Sequence, residues 1–169
     1  MLNNHNHDYL YGLLSSSLAS CITSLSGVQT ITTEQWRALQ DCENAQLVVL
    51  TLSGYSLRCL VCLVTDSSQA TRGMDDDEQQ ELANNLCGTL KRHLGAVFHE
   101  LGMSTPDTLP AGCIAYLQES EQPVMAVRGV AADGTILNAC LLVLQAEDDW
   151  MPPVTQSVEP EVLGELELF

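Results

Sequence analysis

Apolar and polar residues follow two different rhythms along this chain. From Asp8 to Ser26, Leu10, Leu13, Leu14, Leu18, Cys21, Ile22 and Leu25 recur every three or four residues. That is the repeat of an amphipathic helix, and Gly27 is placed to end it. Residues 28–33 are short and β-branched, and read as a strand. Residues 46–52 and 57–65 are two aliphatic runs around Ser53-Gly54-Tyr55-Ser56, the pattern of a hairpin. A polar loop at 66–74 leads into a second helical repeat from about Met74 to Leu101. Thr105-Pro106 and Leu109-Pro110 then break the chain. A closing meander is expected, with strands near 112–118, 123–130 and 135–144. Its turns fall at Glu119-Ser120-Glu121 and Asp133-Gly134. The pattern predicts an α+β domain, two long helices packed on a mainly antiparallel sheet. Residues 1–7 form a loose N-terminus, 8–146 the domain, and 147–169 an acidic tail.

Length and composition agree with a single domain. The 169 residues are 46% apolar but only 5% aromatic, so aliphatic side chains must fill the core. The formal charge of -16, from 22 acids against 6 bases, excludes binding to nucleic acid by phosphate neutralisation. It also disfavours anionic membrane surfaces, and no apolar run is long enough for a membrane-crossing helix. Leu18-Ala19-Ser20-Cys21 has the look of a lipoprotein cleavage box. No Lys or Arg precedes it, however, and Ser15-Ser16-Ser17 interrupts the apolar stretch, so export is not expected.

The seven cysteines include Cys59-x-x-Cys62 inside an aliphatic run. On a strand, residues three apart point to opposite faces, and no second Cys or His pair at metal-binding spacing follows. Most of the thiols are expected in the core of a cytoplasmic protein. His5 and His7 sit in the loose N-terminus, and His93 and His99, six apart, do not share a helix face. No metal site is expected, and no Ser-His-Asp set or phosphate-binding glycine loop stands out. The tail ends in Glu165-Leu166-Glu167-Leu168-Phe169. Its alternation suits a segment packed back on the domain, and loosely resembles the QLxLF peptide that binds the sliding clamp.

The second helix carries the candidate chemistry. At about 100° per residue, Leu82, Ala83, Leu86, Cys87, Leu90, Leu94, Val97, Phe98 and Leu101 form one broad apolar face. Glu81, Asn84, Gly88 and Lys91 form a narrow stripe opposite. One turn separates Glu81 from Asn84. A carboxamide orients a water without titrating, and a carboxylate beside it pairs with a cation on a docked protein. Gly88 inside a helix costs about 1 kcal/mol relative to alanine, a cost that close approach of another backbone would justify. Polar residues also belong on the outer face of any amphipathic helix, so spacing alone leaves a plain solvated face as an alternative.

The segment Glu81-Leu82-Ala83-Asn84-Asn85-Leu86-Cys87-Gly88-Thr89-Leu90-Lys91 resembles the ELxNxxxGxxK segment of CheX proteins. Its core is the ExxN signature of the CheX/CheC/FliY chemotaxis phosphatases. The resemblance spans roughly residues 8–145, but only 81–91 is specific. It implies a CheC-like/CheX-like fold and a phosphatase acting on a phosphorylated CheY-like receiver. Asn84 would position the water that attacks the phosphoaspartate. Glu81 would pair with the receiver's active-site lysine, and Asn85, Gly88 and Lys91 would contact the partner. The chain would need no cofactor of its own, since the receiver supplies Mg2+. CheX proteins are dimers built through their sheets, so a homodimer is implied too. Two departures stand out. Family members usually carry another helix between the central strands and the ExxN helix, where this chain has only 66–74. Its acidity also faces a receiver site that is itself rich in carboxylates. They keep open a non-catalytic module that docks on a receiver or motor component.

Overall fold

The computed structural model describes residues 4–43, 45–68, 70–117, 124–147 and 150–152. In chain order they form α1 (Asn4–Cys21), β1 (Ser26–Ile31), α2 (Thr33–Arg37) with a 3-10 turn (Ala38–Asp41), β2 (Ala45–Ser53) and β3 (Leu57–Asp66). These are followed by α3 (Asp76–Leu94), β4 (Gly102–Met103), β5 (Asp107–Pro110), a 3-10 turn (Ala111–Cys113), α4 (Ile114–Leu117), β6 (Val124–Val130) and β7 (Ile136–Ala146). The strands make one sheet in the order β1-β6-β7-β3-β2-β4, with β5 also paired to β2. Every pairing is antiparallel. The fold is α+β, as the periodicities predict.

Strand alternation divides the core into two layers. Val48, Leu50 and Leu52 of β2, Cys59, Val61 and Leu63 of β3, and Ala139 and Leu141 of β7 point to the side covered by α1 and α3. Leu47, Cys62, Val64, Cys140 and Leu142 point to the other side, where Trp36, Leu39, Ala111 and Ile114 cover them. Each fully buried aliphatic side chain contributes about 1.5–3 kcal/mol, so both layers hold the sheet in place. Cys59 and Cys62 fall in opposite layers, as residues three apart on a strand must.

Cys59, Cys62, Cys87 and Cys140 are buried. Burial pushes the thiols of Cys59 and Cys87 up to about 12, and raises Cys140 well above the ordinary range. Thiolate, the reactive form, is therefore scarce at neutral pH. Iodoacetamide at pH 7.5 (~100-fold excess) is expected to spare Cys59, Cys87 and Cys140 in the folded protein and to modify all three in urea. Rapid native labelling of any one, read by peptide mass spectrometry, would contradict this packing.

Several elements depart from the sequence expectation. Residues 4–7 are not loose but open α1, because Asn6 continues the buried row of Leu10, Leu14 and Leu18. The Asn6 Nδ2 donates to the Trp150 carbonyl oxygen at 3.3 Å. Trp150 itself is buried, 5.1 Å from the ring of Phe98 and 6.0 Å from that of Tyr9, so packing continues past residue 146. α1 stops at Cys21, and Gly27, with φ of 49°, instead makes the irregular pairing between Ser26 and Gln29 in β1.

α3 ends at Leu94 rather than Leu101. Gly95 caps it, and Glu100, with φ of 58°, turns the chain. Phe98 and Leu101 nevertheless reach the same buried cluster, which is why the helical rhythm outlasted the helix. The strand expected at 112–118 is helical over 111–117, since Ala111 and Ile114, three apart, face one layer. β2 is paired instead by β4 and β5. The 119–121 turn and the 165–169 peptide lie outside the described residues. Among the described residues no helix is long and apolar enough to cross a membrane.

Candidate functional site

α3 is fixed at its start and along its inner face. Asp75 caps it: Glu78 N–H donates to Asp75 Oδ1 at 2.8 Å, and Asp75 N–H to Glu78 Oε2 at 3.1 Å, a reciprocal capping box. Arg72 pairs with Glu78 at 2.7 Å. Leu82, Leu86, Leu90 and Leu94 are buried against the sheet. Gln79 sets the rotation of the helix. Its Oε1 accepts from Thr65 Oγ1 at 2.7 Å, and its Nε2 donates to the Met74 carbonyl at 3.1 Å. With one face locked, the other must point outward.

That outward ridge holds Glu81, Asn84, Gly88 and Lys91, the residues singled out by spacing, together with Asn85. Glu81, Asn84 and Asn85 are exposed, and Gly88 and Lys91 are half-buried. Among the described residues no hydrogen bond engages the side chain of Glu81 or Asn84. Their polar atoms are therefore free for a partner or water. Two grooves flank the ridge. Glu81 borders one, walled by Ile22, Arg72, Met74 and Asp133. Asn84 borders the other, walled by Ser20, Cys21, Thr89 and Arg92. Asn85 stands between them and borders both. The ridge thus brings together Glu81, Asn84, Asn85 and Gly88, while Lys91 stands outside both grooves.

The walls at Ser20, Cys21, Ile22, Arg72 and Asp133 escaped sequence reasoning because they come from other elements: the end of α1, the loop before α3 and the β6–β7 turn. Only the Asp133-Gly134 turn left a local signal. There Gly134 has φ of 92°. The Thr135 backbone N–H donates to Asp133 at 2.9 Å, as does the Thr135 hydroxyl. The backbone bond foremost holds the Asp133 carboxyl below its ordinary range, so it faces the groove as an anion at neutral pH.

Gly88 has open space around it. A methyl group built there meets nothing within 4 Å beyond its own stretch of helix backbone, so packing inside this chain does not require glycine. Gly88→Ala is expected to stabilise the fold by about 1 kcal/mol, measured by urea unfolding. Destabilisation would show that the glycine serves the fold rather than an approaching surface.

Among the described residues no three His, Cys, Asp or Glu side chains are grouped to hold a metal ion. The arrangement offers a carboxylate, a carboxamide one turn away and an open backbone surface on a rigid helix.

No protein-family model matches the sequence, and no curated protein matches it. Solved structures do match, and the first of those that follow defines the class as the CheX-like fold. A chain of the CheX–CheY–BeF3–Mg complex from Borrelia burgdorferi is similar at 14% identity, covering 85% of this chain and 99% of that one, with a TM-score of 0.52. A CheC-like superfamily protein from Shewanella sp. PV-4 shares 11% identity over 83% of this chain and 99% of its own, at a TM-score of 0.49. A chain of the FliM–SpeE complex from H. pylori shares 14% identity over 81% of this chain and 83% of its own, also at 0.49. At such identity the first likeness establishes the fold and leaves the chemistry to the residues.

Proposed function

We propose that this chain is a CheX-like phosphatase that hydrolyses the phosphoaspartate of a CheY-like receiver. The observation that carries the reading is the α3 ridge. Glu81 and Asn84 stand exposed one turn apart and free of internal hydrogen bonds, beside a glycine with open space above it. The likeness to a chain of a CheX–CheY complex supports it.

An acyl phosphate is already activated, so the catalyst has to place a water in line and steady charge. The Asn84 carboxamide oxygen accepts a hydrogen bond from that water and aims its lone pair at phosphorus. The water–phosphorus bond forms as the bond to the aspartyl oxygen breaks. The aspartate leaves as a carboxylate, and the water proton passes to the phosphate product. Glu81 accepts the receiver's lysine in a charge-assisted pair that fixes the two proteins in register. The receiver brings the Mg2+ that neutralises the phosphoryl oxygens.

One observation favours a second reading, a docking module without catalysis. Asp75, Asp76, Asp77, Glu78 and Asp133 surround the N-terminal end of the ridge, where a carboxylate-rich receiver site would meet repulsion. Multiple turnover separates the readings. With phosphorylated receiver in excess, the phosphatase releases more than one equivalent of inorganic phosphate per chain. Binding without release beyond the receiver's own decay assigns the docking role.

A further inference from the structure

The charge along the α3 ridge is graded, and the gradient has a direction. Asp77, Glu78 and Glu81 occupy the first part. Asn84, Asn85 and Gly88 occupy the middle, and Lys91 and Arg92 the end. The helix dipole favours acids at the start and cations at the finish, which explains the order but not what the last cation does. Arg92 is exposed, and its Nη2 donates to Thr89 Oγ1 at 3.0 Å. That bond holds the guanidinium over the groove it shares with Ser20, Cys21 and Asn84. A guanidinium has five N–H donors. Among the described residues, neither Arg92 nor Lys91 forms an ion pair. In a chain with 6 basic residues against 22 acids, Lys91 and Arg92 put two adjacent cations at the end of the ridge that carries the candidate amide.

We propose that the groove between the last turn of α1 and the C-terminal half of α3 receives a carboxylate-bearing edge of the partner protein, anchored by Arg92. This rests on the reading of the ridge as a receiver-binding surface, and it sets the direction in which the receiver lies. Eight residues separate Asn84 from Arg92, about 12 Å along the helix at 1.5 Å per residue. With the phosphoaspartate over Asn84, Arg92 meets an acidic side chain at the rim of the receiver's pocket and not the phosphoryl group. The receiver lysine then falls on the opposite side, over Glu81. Arg92 is a positioning residue. Its cation counters the repulsion between two acidic proteins during encounter, which acts on association rate more than on chemistry.

The test is stopped-flow association with beryllofluoride-activated, Mg2+-bound stand-alone receivers of the source genome, across a range of salt. The full chain is used as wild type, Arg92→Gln, Arg92→Lys and Arg58→Gln. Arg58 is exposed and alternates with buried Cys59, so it lies on the sheet face away from α3. The two glutamine variants change net charge equally. Arg92→Gln is expected to slow association about three- to tenfold at low salt and to flatten its salt dependence. Arg58→Gln should have little effect and Arg92→Lys an intermediate one, while the dephosphorylation rate at saturation stays within about twofold for all. Equal association by the two glutamine variants overturns the anchor while leaving the phosphatase reading intact. If no receiver associates with wild type, the reading of the ridge falls and the anchor with it.

Discussion

Trp36→Ala is expected to lower the free energy of unfolding by about 3–5 kcal/mol. For a chain of this size the corresponding fall in Tm is roughly 6–20 °C. Trp36 is fully buried and lies in the layer that covers Leu47, Cys62, Val64, Cys140 and Leu142. That layer is built from short segments, α2, α4 and two 3-10 turns, so no long helix can slide in to fill the space. Among the described residues the indole Nε1 has no hydrogen-bond partner, so the loss is one of packing. Urea unfolding followed by circular dichroism measures it. A change under about 1 kcal/mol, the level of an ordinary surface substitution, would mean this face of the sheet is not packed as described.

Asn84→Ala is expected to do the reverse, leaving the fold intact and removing the chemistry. Asn84 is exposed and makes no internal hydrogen bond. Alanine is also the better helix former by a few tenths of a kcal/mol, so Tm should hold or rise slightly. The rate of receiver dephosphorylation at saturation should fall by about 100-fold or more. Misplacing a reacting atom by 1 Å costs about that much, and here the positioning group is gone. Asn84→Gln should not rescue the rate, because one added methylene moves the amide from the water it aims. Affinity for a beryllofluoride-activated receiver should persist, carried by Glu81 and the rest of the ridge. Loss of binding together with turnover would make Asn84 a contact residue only.

Much of this was legible in the sequence because it lies in local periodicity. The hairpin of β2 and β3, the strands β6 and β7, and the outward placement of Glu81, Asn84, Gly88 and Lys91 follow from spacings of two and three or four. What was missed depended on tertiary pairing or on short segments. α2 spans five residues, too few for periodicity. Its start was nonetheless written in Thr32-x-x-Gln35, a capping box in which Gln35 N–H donates to Thr32 Oγ1 at 3.2 Å and Thr32 N–H to Gln35 Oε1 at 2.8 Å. β4 and β5 exist because β2 offers an open edge, a condition invisible in residues 102–110 themselves. Phe98 and Leu101 kept the helical rhythm after Gly95 had ended the helix, so α3 was read seven residues too long. The groove walls at Ser20, Cys21 and Arg72 surround the ridge only once α1 and the loop before α3 have packed.

The role proposed for the α3 ridge is to complete a receiver's hydrolytic site. Its most direct measurement is the decay of a phosphorylated CheY-like receiver, with Mg2+ present, at saturating concentrations of this chain. Decay well above the receiver's own rate is expected, with one chain serving many receivers in turn. Decay at the receiver's own rate, from a receiver shown to bind the ridge, would contradict catalysis and leave α3 as a docking surface.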